Sequence, residues 1–106
     1  VDVVVKYSTD GTDVDAIQLE ASMEVLQDDD DQDAGGQDFG TATDITDTPA
    51  TATANYSNVT AAVTISHANC GSPAAGDDGR FKLTRDWDHA SNTDDVQVSE
   101  VVITET

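Results

Sequence analysis

The stretch IQLEASMEV at residues 17–25 decides the fold, because apolar and polar side chains alternate along it without interruption. Successive side chains of a β-strand point to opposite faces of the sheet, so a period of two predicts a half-buried strand. A helix is the competing interpretation, since alanine, leucine, methionine, glutamate and glutamine all favour helices. A helix would scatter these apolar residues around its circumference, and we therefore expect a strand over residues 14–26.

Strand patterns also lie on both sides of this stretch. Residues 1–8 are rich in valine and end at a turn signal that contains Asp10-Gly11. Alternation returns in residues 54–66, where one face is expected to carry Val59, Ala61, Val63 and Ile65. Two shorter strands are expected at residues 44–48, just before Pro49, and at residues 80–86, with Phe81 and Leu83 inward.

The last strand, predicted over residues 96–106, changes phase in its middle. Val96 and Val98 share one parity, whereas Val101 and Ile103 share the other. An extra residue in a strand shifts the side chains that follow it to the opposite parity. A β-bulge near Ser99 and Glu100 would therefore place all four apolar side chains on the same face.

The segments between these strands have the composition of loops. Residues 27–40, 67–79 and 86–95 are rich in Asp, Gly, Ser or Pro, and the last of them could hold a single helical turn. Six to eight short strands separated by such turns are typical of a small antiparallel β-sandwich or a jelly-roll-like barrel. We expect residues 1–106 to form one all-β domain of this kind.

The charge balance is extreme, with 22 Asp and Glu against 4 Lys and Arg and a formal net charge of −18. Such a surface repels itself at ordinary ionic strength, and molar salt screens the repulsion. The composition therefore indicates a haloarchaeal type of protein that requires salt. An acidic disordered segment is the other interpretation, and the periodic apolar residues argue against it. With no basic patch, we expect binding neither to nucleic acid nor to an anionic membrane.

No pattern of reactive residues predicts an enzyme. Cys70 is the single cysteine, and His67, three positions away, would point to the opposite face of a strand. A triad assembled from Ser66, His89 and one of many Asp residues has no specificity. The chain also shows no zinc or phosphate-binding motif, no apolar run of membrane-spanning length, and no basic segment typical of a signal peptide.

Two acidic clusters are candidates for cation binding. The first is Asp28–Asp31 with Asp33, but Ala34 and Gly40 occupy positions that a calcium loop gives to Gly and Glu. The second cluster, Asp86, Asp88, Asp94 and Asp95, flanks a short loop and could share Ca²⁺, Mg²⁺ or Na⁺ if the loop folds back. The alternative for both is a hydrated acidic surface without an ordered ion.

Two other features suggest surface function. Trp87 is expected to be a structural anchor at the mouth of the sandwich, and a tryptophan that stacks on a ligand is the sharper alternative. The triplets Asn55-Tyr56-Ser57 and Asn58-Val59-Thr60 match the N-glycosylation pattern and would mark exposed positions if modified.

The segment GRFKLTRDWDHASNTDDVQVSEVVI at residues 79–103 resembles β-sandwich accessory proteins of tailed viruses, which decorate capsids or build heads and tails. With the acidic composition, the resemblance points to a virus of halophilic archaea. It implies a capsid-bound or tail-bound protein that is made in the host cytoplasm without a signal peptide, that is often oligomeric, and that has no catalytic residues.

These observations lead to two main hypotheses. The first is a non-enzymatic capsid decoration protein, homo-oligomeric on the virion surface, with Val1, Val3 and Val5 as candidate contacts to capsid proteins or other subunits. Ordinary core pairing is the other interpretation of this N-terminal strand. The second hypothesis is an extracellular adhesion or carbohydrate-binding module of a haloarchaeon, which would use Trp87 and the acidic loops. A small enzyme is a third class, supported only by the abundant carboxylates.

Overall fold

The computed structural model describes residues 1–26, 39–51, 53–88 and 90–106, and within them the chain is all-β. Two antiparallel sheets form a sandwich, as predicted. The described residues contain seven strands: β1 (Asp2–Thr9), β2 (Ile17–Leu26), β3 (Thr43–Asp47), β4 (Asn58–Val59), β5 (Val63–Thr64), β6 (Asp78–Arg85) and β7 (Val96–Thr104). Most of the loop predicted at 27–40 lies outside the described residues.

The first sheet has four strands, with β1 at its centre. β7 pairs with one side of β1 along its whole length, and the short strands β4 and β5 pair with the other side. Val3, Val5 and Tyr7 alternate with polar or half-buried residues, and all three are buried in the core. β1 is therefore covered on both edges and on its inner face.

The bulge predicted in the last strand is confirmed. Lys6 lies opposite Glu100 and Tyr7 lies opposite Val98, so Ser99 is the extra residue in β7. The Ser99 hydroxyl donates a hydrogen bond to the Lys6 carbonyl at 3.1 Å. As a result, the four apolar residues of β7 all lie opposite inward-facing positions of β1: Val96, Val98, Val101 and Ile103.

The prediction of one continuous strand within residues 54–66 is wrong in its first half. Asn58 and Thr60 face inward and are buried, whereas Val59 is 55% exposed. The pairing with β1 then slips by one residue before β5, where Val63 and Ile65 face the core. At the slip, the Thr60 hydroxyl accepts a hydrogen bond from the Val5 N–H at 3.0 Å, so a side chain replaces a backbone partner.

The second sheet has three strands, with β2 between β3 and β6. Ile17, Leu19 and Ala21 of β2 are buried against the first sheet, which confirms the strand that the alternation predicts. The edge strand predicted at residues 44–48 is β3, and the strand predicted around Phe81 and Leu83 is β6. Both of those side chains pack against the core.

The two sheets are joined by a polar bond as well as by apolar packing. The hydroxyl of Tyr7 in β1 donates a hydrogen bond to Asp47 Oδ2 in β3 at 2.6 Å. Burial and the neighbouring carboxylate raise the pKa of Tyr7 well above its usual range. Among the described residues, no helix has the length and hydropathy needed to cross a membrane.

The outer face of the second sheet carries a small cationic cluster. Arg80 of β6 forms an ion pair with Glu24 of β2 at 2.8 Å, and this pair is mostly shielded from solvent. The Phe39 ring lies 5.9 Å from the Arg80 guanidinium carbon and 5.4 Å from Lys82 Nζ. These distances are within the range of cation–π attraction, so Phe39 fastens the chain after residue 38 to this outer face.

Candidate functional site

One end of the sandwich is built from the β1–β2 loop, residues 10–16, and the β6–β7 loop, residues 86–88 and 90–95; we call it the loop end. The two loops are bonded to each other through carboxylates. Asp13 Oδ2 accepts hydrogen bonds from the Thr93 N–H at 2.8 Å and from the Thr93 hydroxyl at 3.2 Å. In return, Asp94 Oδ2 accepts a hydrogen bond from the Asp13 N–H at 2.9 Å.

Asn92 is the residue at the centre of the loop end and is only 3% exposed. Its side-chain amide donates to the Asp15 carbonyl at 2.8 Å and to the Asp13 carbonyl at 3.4 Å. Its side-chain oxygen accepts from the Asp94 N–H at 2.9 Å. Because Asn offers both a donor and an acceptor, it satisfies the backbones of both loops at once.

The guanidinium group of Arg85 stabilises the loop end through hydrogen bonds to its backbone. Arg85, the last residue of β6, donates to the Asp94 carbonyl at 2.6 Å and to the Asn92 carbonyl at 3.0 Å. Gly11 leaves room for Asp94, since a Cβ at position 11 would clash with the Asp94 carboxylate. The loop end is therefore a tightly packed polar structure rather than an open acidic loop.

The electrostatics of Asp13 follow from these bonds. The Thr93 N–H, and after it the Asp15 N–H, hold the pKa of the Asp13 carboxyl below its usual range. Hydrogen bonds to the charged form favour that form, so Asp13 stays ionised in the fold at acidities where an isolated aspartate begins to take up a proton.

The structure uses the predicted cation ligands in different ways. Asp94 is hydrogen-bonded within the loop end, Asp86 is half-buried, and Asp88 and Asp95 are exposed. In the part of the chain that the structure describes, no three His, Cys, Asp or Glu side chains form a group that could hold a metal ion. The first candidate cluster, Asp28–Asp31 with Asp33, lies outside the described residues.

Trp87 is the prominent apolar feature of the loop end. It lies in a turn directly after β6, and 74% of its surface is exposed. The prediction that Trp87 anchors the mouth of the sandwich is therefore wrong. Valine, isoleucine, leucine and Tyr7 fill the core. The tryptophan ring is left in solvent beside the hydrogen-bond network of the loop end.

The N-terminal residues predicted as partner contacts are placed in the core. Val3 and Val5 have no exposed surface, so their side chains are inaccessible to another protein. Val1 is half-buried, and its amino group donates to the Ile65 carbonyl at 2.9 Å. Of the two interpretations of this strand, the structure supports core pairing.

The two sequons differ in accessibility. Asn55 is exposed in a turn with φ of +66°, a left-handed conformation that Asn adopts more readily than most residues. Asn58 is 4% exposed, accepts a hydrogen bond from the Ala50 N–H at 2.8 Å, and donates to the Tyr56 carbonyl at 3.1 Å. Only Asn55 presents its amide to solvent in the folded chain.

A cleft of about 600 Å³ lies at the opposite end of the sandwich. It is lined by residues 73–77, by the first residues of β6, and by side chains that include Val1, Met23, Cys70 and Ile103. Cys70 is 3% exposed, and its sulfur lies 3.7 Å from the Ile65 carbonyl oxygen and 4.0 Å from the Met23 sulfur. These are the surroundings of a packed thiol that contributes to the core.

No family model, curated protein or solved structure matches this chain. Function is therefore inferred from the geometry and charge of its surface. The loop end combines a fixed backbone, an exposed indole and several carboxylates. This combination is suited to binding, since the rigid backbone lowers the entropy lost on association and the indole supplies apolar contact area.

Proposed function

We propose that this protein is a non-enzymatic structural protein of a halophilic virus, a decoration protein that binds the capsid exterior through its loop end. The observation that carries the proposal is the 74% exposure of Trp87 on a loop whose backbone is fixed by Asn92 and Arg85. Tryptophan is enriched among the residues that dominate protein interfaces. An aromatic ring held in water beside a rigid frame is what such an anchor requires.

The charge supports the halophilic part of the proposal. A net charge of −18 on 106 residues gives strong self-repulsion. Molar salt screens this repulsion, so that it acts only over a few ångströms. A decoration protein on such a virion would be assembled in the host cytoplasm and would act on the capsid surface. Because a capsid repeats its binding site many times, several loop ends joined in one oligomer would bind more tightly than a single one through multivalency.

The test is binding to purified virus particles from the source culture. Mass spectrometry first establishes that the chain is a particle component, and stripped particles are then incubated with recombinant protein in molar salt. Trp87 is the only tryptophan, so its fluorescence reports directly on burial at the loop end. We expect rebinding with a blue shift for the native chain, and binding at least about tenfold weaker for Trp87→Ala.

The matched control is Val59→Ala, which removes an exposed apolar side chain from the side of the sandwich. It should bind particles as the native chain does. If the chain is absent from particles, or if both variants bind equally well, the proposal is wrong.

A second function is favoured by the same exposed indole, because tryptophan faces also stack on sugar rings. In that case the chain would be an extracellular adhesion or carbohydrate-binding module of a haloarchaeon. Titration with envelope oligosaccharides would then change Trp87 fluorescence without particles, and the chain would be found in cell envelopes. Such a result would replace the capsid proposal.

A further inference from the structure

Among the described strands, none pairs with the outer edge of β7. Within the described chain it pairs with β1 alone, so its other side presents unpaired backbone groups. The exposed fractions of its side chains are 41% for Val98, 36% for Val102 and 41% for Ile103. An exposed, apolar edge strand is a template for pairing with another chain.

The other edges of the described sheets carry features that discourage such pairing. β3 has an Asp near each end and is followed by Pro49. β6 carries three of the four cationic residues, Arg80, Lys82 and Arg85. β4 and β5 are only two residues each and are separated by the slip in register. Charges, proline and short strands are recognised ways to block edge pairing. By contrast, residues 100–104 of β7 have only one charged side chain.

That charged side chain is neutralised within the chain. Glu100 forms an ion pair with Lys6 Nζ of β1 at 3.0 Å, so the single negative charge of β7 is balanced by the neighbouring strand in a protein of net charge −18. A second copy meets like charge over most of the surface, and β7 is a strip where it can approach without that repulsion. A cationic partner, by contrast, would be attracted to the acidic surfaces rather than to this strip. The charge pattern therefore favours a second copy of this chain as the occupant.

The hydrogen-bond pattern defines how two copies would pair. Val1 and Ile65 exchange two backbone bonds, and the Thr60 N–H donates to the Val5 carbonyl at 3.0 Å, so odd-numbered residues of β1 bond to the β4 and β5 side. Even-numbered residues of β1 then bond to β7 at Glu100, Val102 and Thr104. The backbone groups of Val101 and Ile103 are left to point outward from the sheet edge.

We propose that two copies of this chain join through β7, antiparallel about a two-fold axis at Val102. Val101 then exchanges backbone bonds with Ile103 of the partner subunit, and the two Val102 side chains meet on the outer face. Glu100 lies opposite Thr104 of the partner subunit, so no like charges face each other across the new ladder. The two four-stranded sheets become one continuous sheet. This inference does not rest on the proposed function, because it concerns the isolated protein.

Disulfide trapping tests the axis. Opposed residues in a pair without hydrogen bonds have Cα atoms about 4.5 Å apart, which is within disulfide range. Val102→Cys should therefore form a covalent dimer under mild oxidation with copper–phenanthroline in molar KCl. In the matched variant Val98→Cys, the two thiols lie about 26 Å apart in this register and should remain reduced. The native chain, whose Cys70 is buried, gives the background.

Sedimentation equilibrium tests the association without a cross-link. We expect the native chain to dimerise in molar KCl and to dissociate as salt is withdrawn. Val102→Asp places like charges face to face and should weaken the dimer at least about tenfold. Val59→Asp adds the same charge to an exposed position on the opposite side of β1 and should leave the dimer intact. A native chain that is monomeric at millimolar concentration in molar salt, or equal cross-linking of Val98→Cys, overturns the inference.

Discussion

Strands β1 and β7 are paired with each other over their full length, and both are rich in valine, yet they have opposite environments. Val3 and Tyr7 of β1 are no more than 1% exposed, whereas their register partners Ile103 and Val98 are each 41% exposed. All of these side chains point to the same face of the sheet. The difference teaches that alternation determines which face a side chain lies on, and strand order determines how well that face is covered.

The difference in burial comes from the positions of the two strands in the four-stranded sheet. β1 lies at the centre of the four-stranded sheet, with neighbours on both edges, and faces the core. Among the described strands, β7 has a neighbour on one edge only, so its inner face is less completely covered than that of β1. The central strand therefore contributes buried apolar area to the core, and the edge strand leaves apolar surface accessible to solvent.

The largest expected effect compares matched truncations on the two strands. Val5→Ala removes fully buried methyl groups and should lower the free energy of unfolding by about 3 kcal/mol. Roughly half of this loss is the transfer free energy of the removed methyl groups, and the rest is the cost of the cavity that they leave. Val98→Ala should cost less than about 1 kcal/mol, because its side chain is already partly in water. Both are measured by denaturant unfolding in molar KCl, at protein concentrations low enough to keep the chain monomeric. Equal losses would show that β7 is as well covered as β1 in solution.

A smaller effect is expected where β1 reaches across to the other sheet. Tyr7→Phe removes the bond to Asp47 and should cost about 2 kcal/mol, as is typical of hydrogen bonds to charged groups. The native Tyr7 has its pKa raised in the fold, so its stabilising contribution is complete below about pH 10. Above that pH the unfolded chain loses the phenol proton more readily, and stability falls as pH rises. Tyr7→Phe should lose this decrease, and if it shows the same alkaline decrease as the native chain, the bond has no such role.

The other flank of β1 gives the next prediction. Asn58→Ala leaves the Ala50 N–H without its acceptor and should lower the free energy of unfolding by about 1 to 2 kcal/mol. The control is Asn55→Gly, which keeps the left-handed turn conformation and should change stability by only a few tenths of a kcal/mol. If the chain is N-glycosylated in its source, mass spectrometry should find the sugar on Asn55 alone.

Part of the fold could be predicted from residues 17–25 and from the change of phase in β7, because local alternation directly reports side-chain direction. The failure at Val59 has a physical reason. Asn58 and Thr60 are polar, yet each is buried with a hydrogen-bond partner outside residues 54–66, Ala50 for Asn58 and Val5 for Thr60. A hydrophobicity pattern does not contain those partners, so it assigns the wrong face.

The loop end was missed for a related reason. The sequence pattern marks Asp94 only as a carboxylate. Asn92 and Arg85 stabilise the loop end by binding backbone carbonyls, one of which lies more than seventy residues away in sequence. The Asn92-Thr93-Asp94 sequence, with side chains that bond nearby backbone, was the available local signal. The exposure of Trp87 follows from how the other residues fill the core, which no local pattern contains.

The smallest effect concerns the loops that continue β1 and β7 beyond their last paired residues. Asp13 binds the Thr93 N–H, and Asp10 binds the Asp95 N–H, so these carboxylates tie the two strands together at the loop end. The pKa of Asp13 is lowered in the fold, so its contribution is present at neutral pH and is lost as pH falls below about 4, toward the folded pKa. Asp13→Asn removes this contribution, since an amide nitrogen would face one of the N–H donors. The difference in unfolding free energy between Asp13→Asn and the native chain, measured in molar salt, should stay constant above about pH 5 and shrink below about pH 4. A difference that persists unchanged into strong acid would mean that the charge of Asp13 does not hold the two loops together.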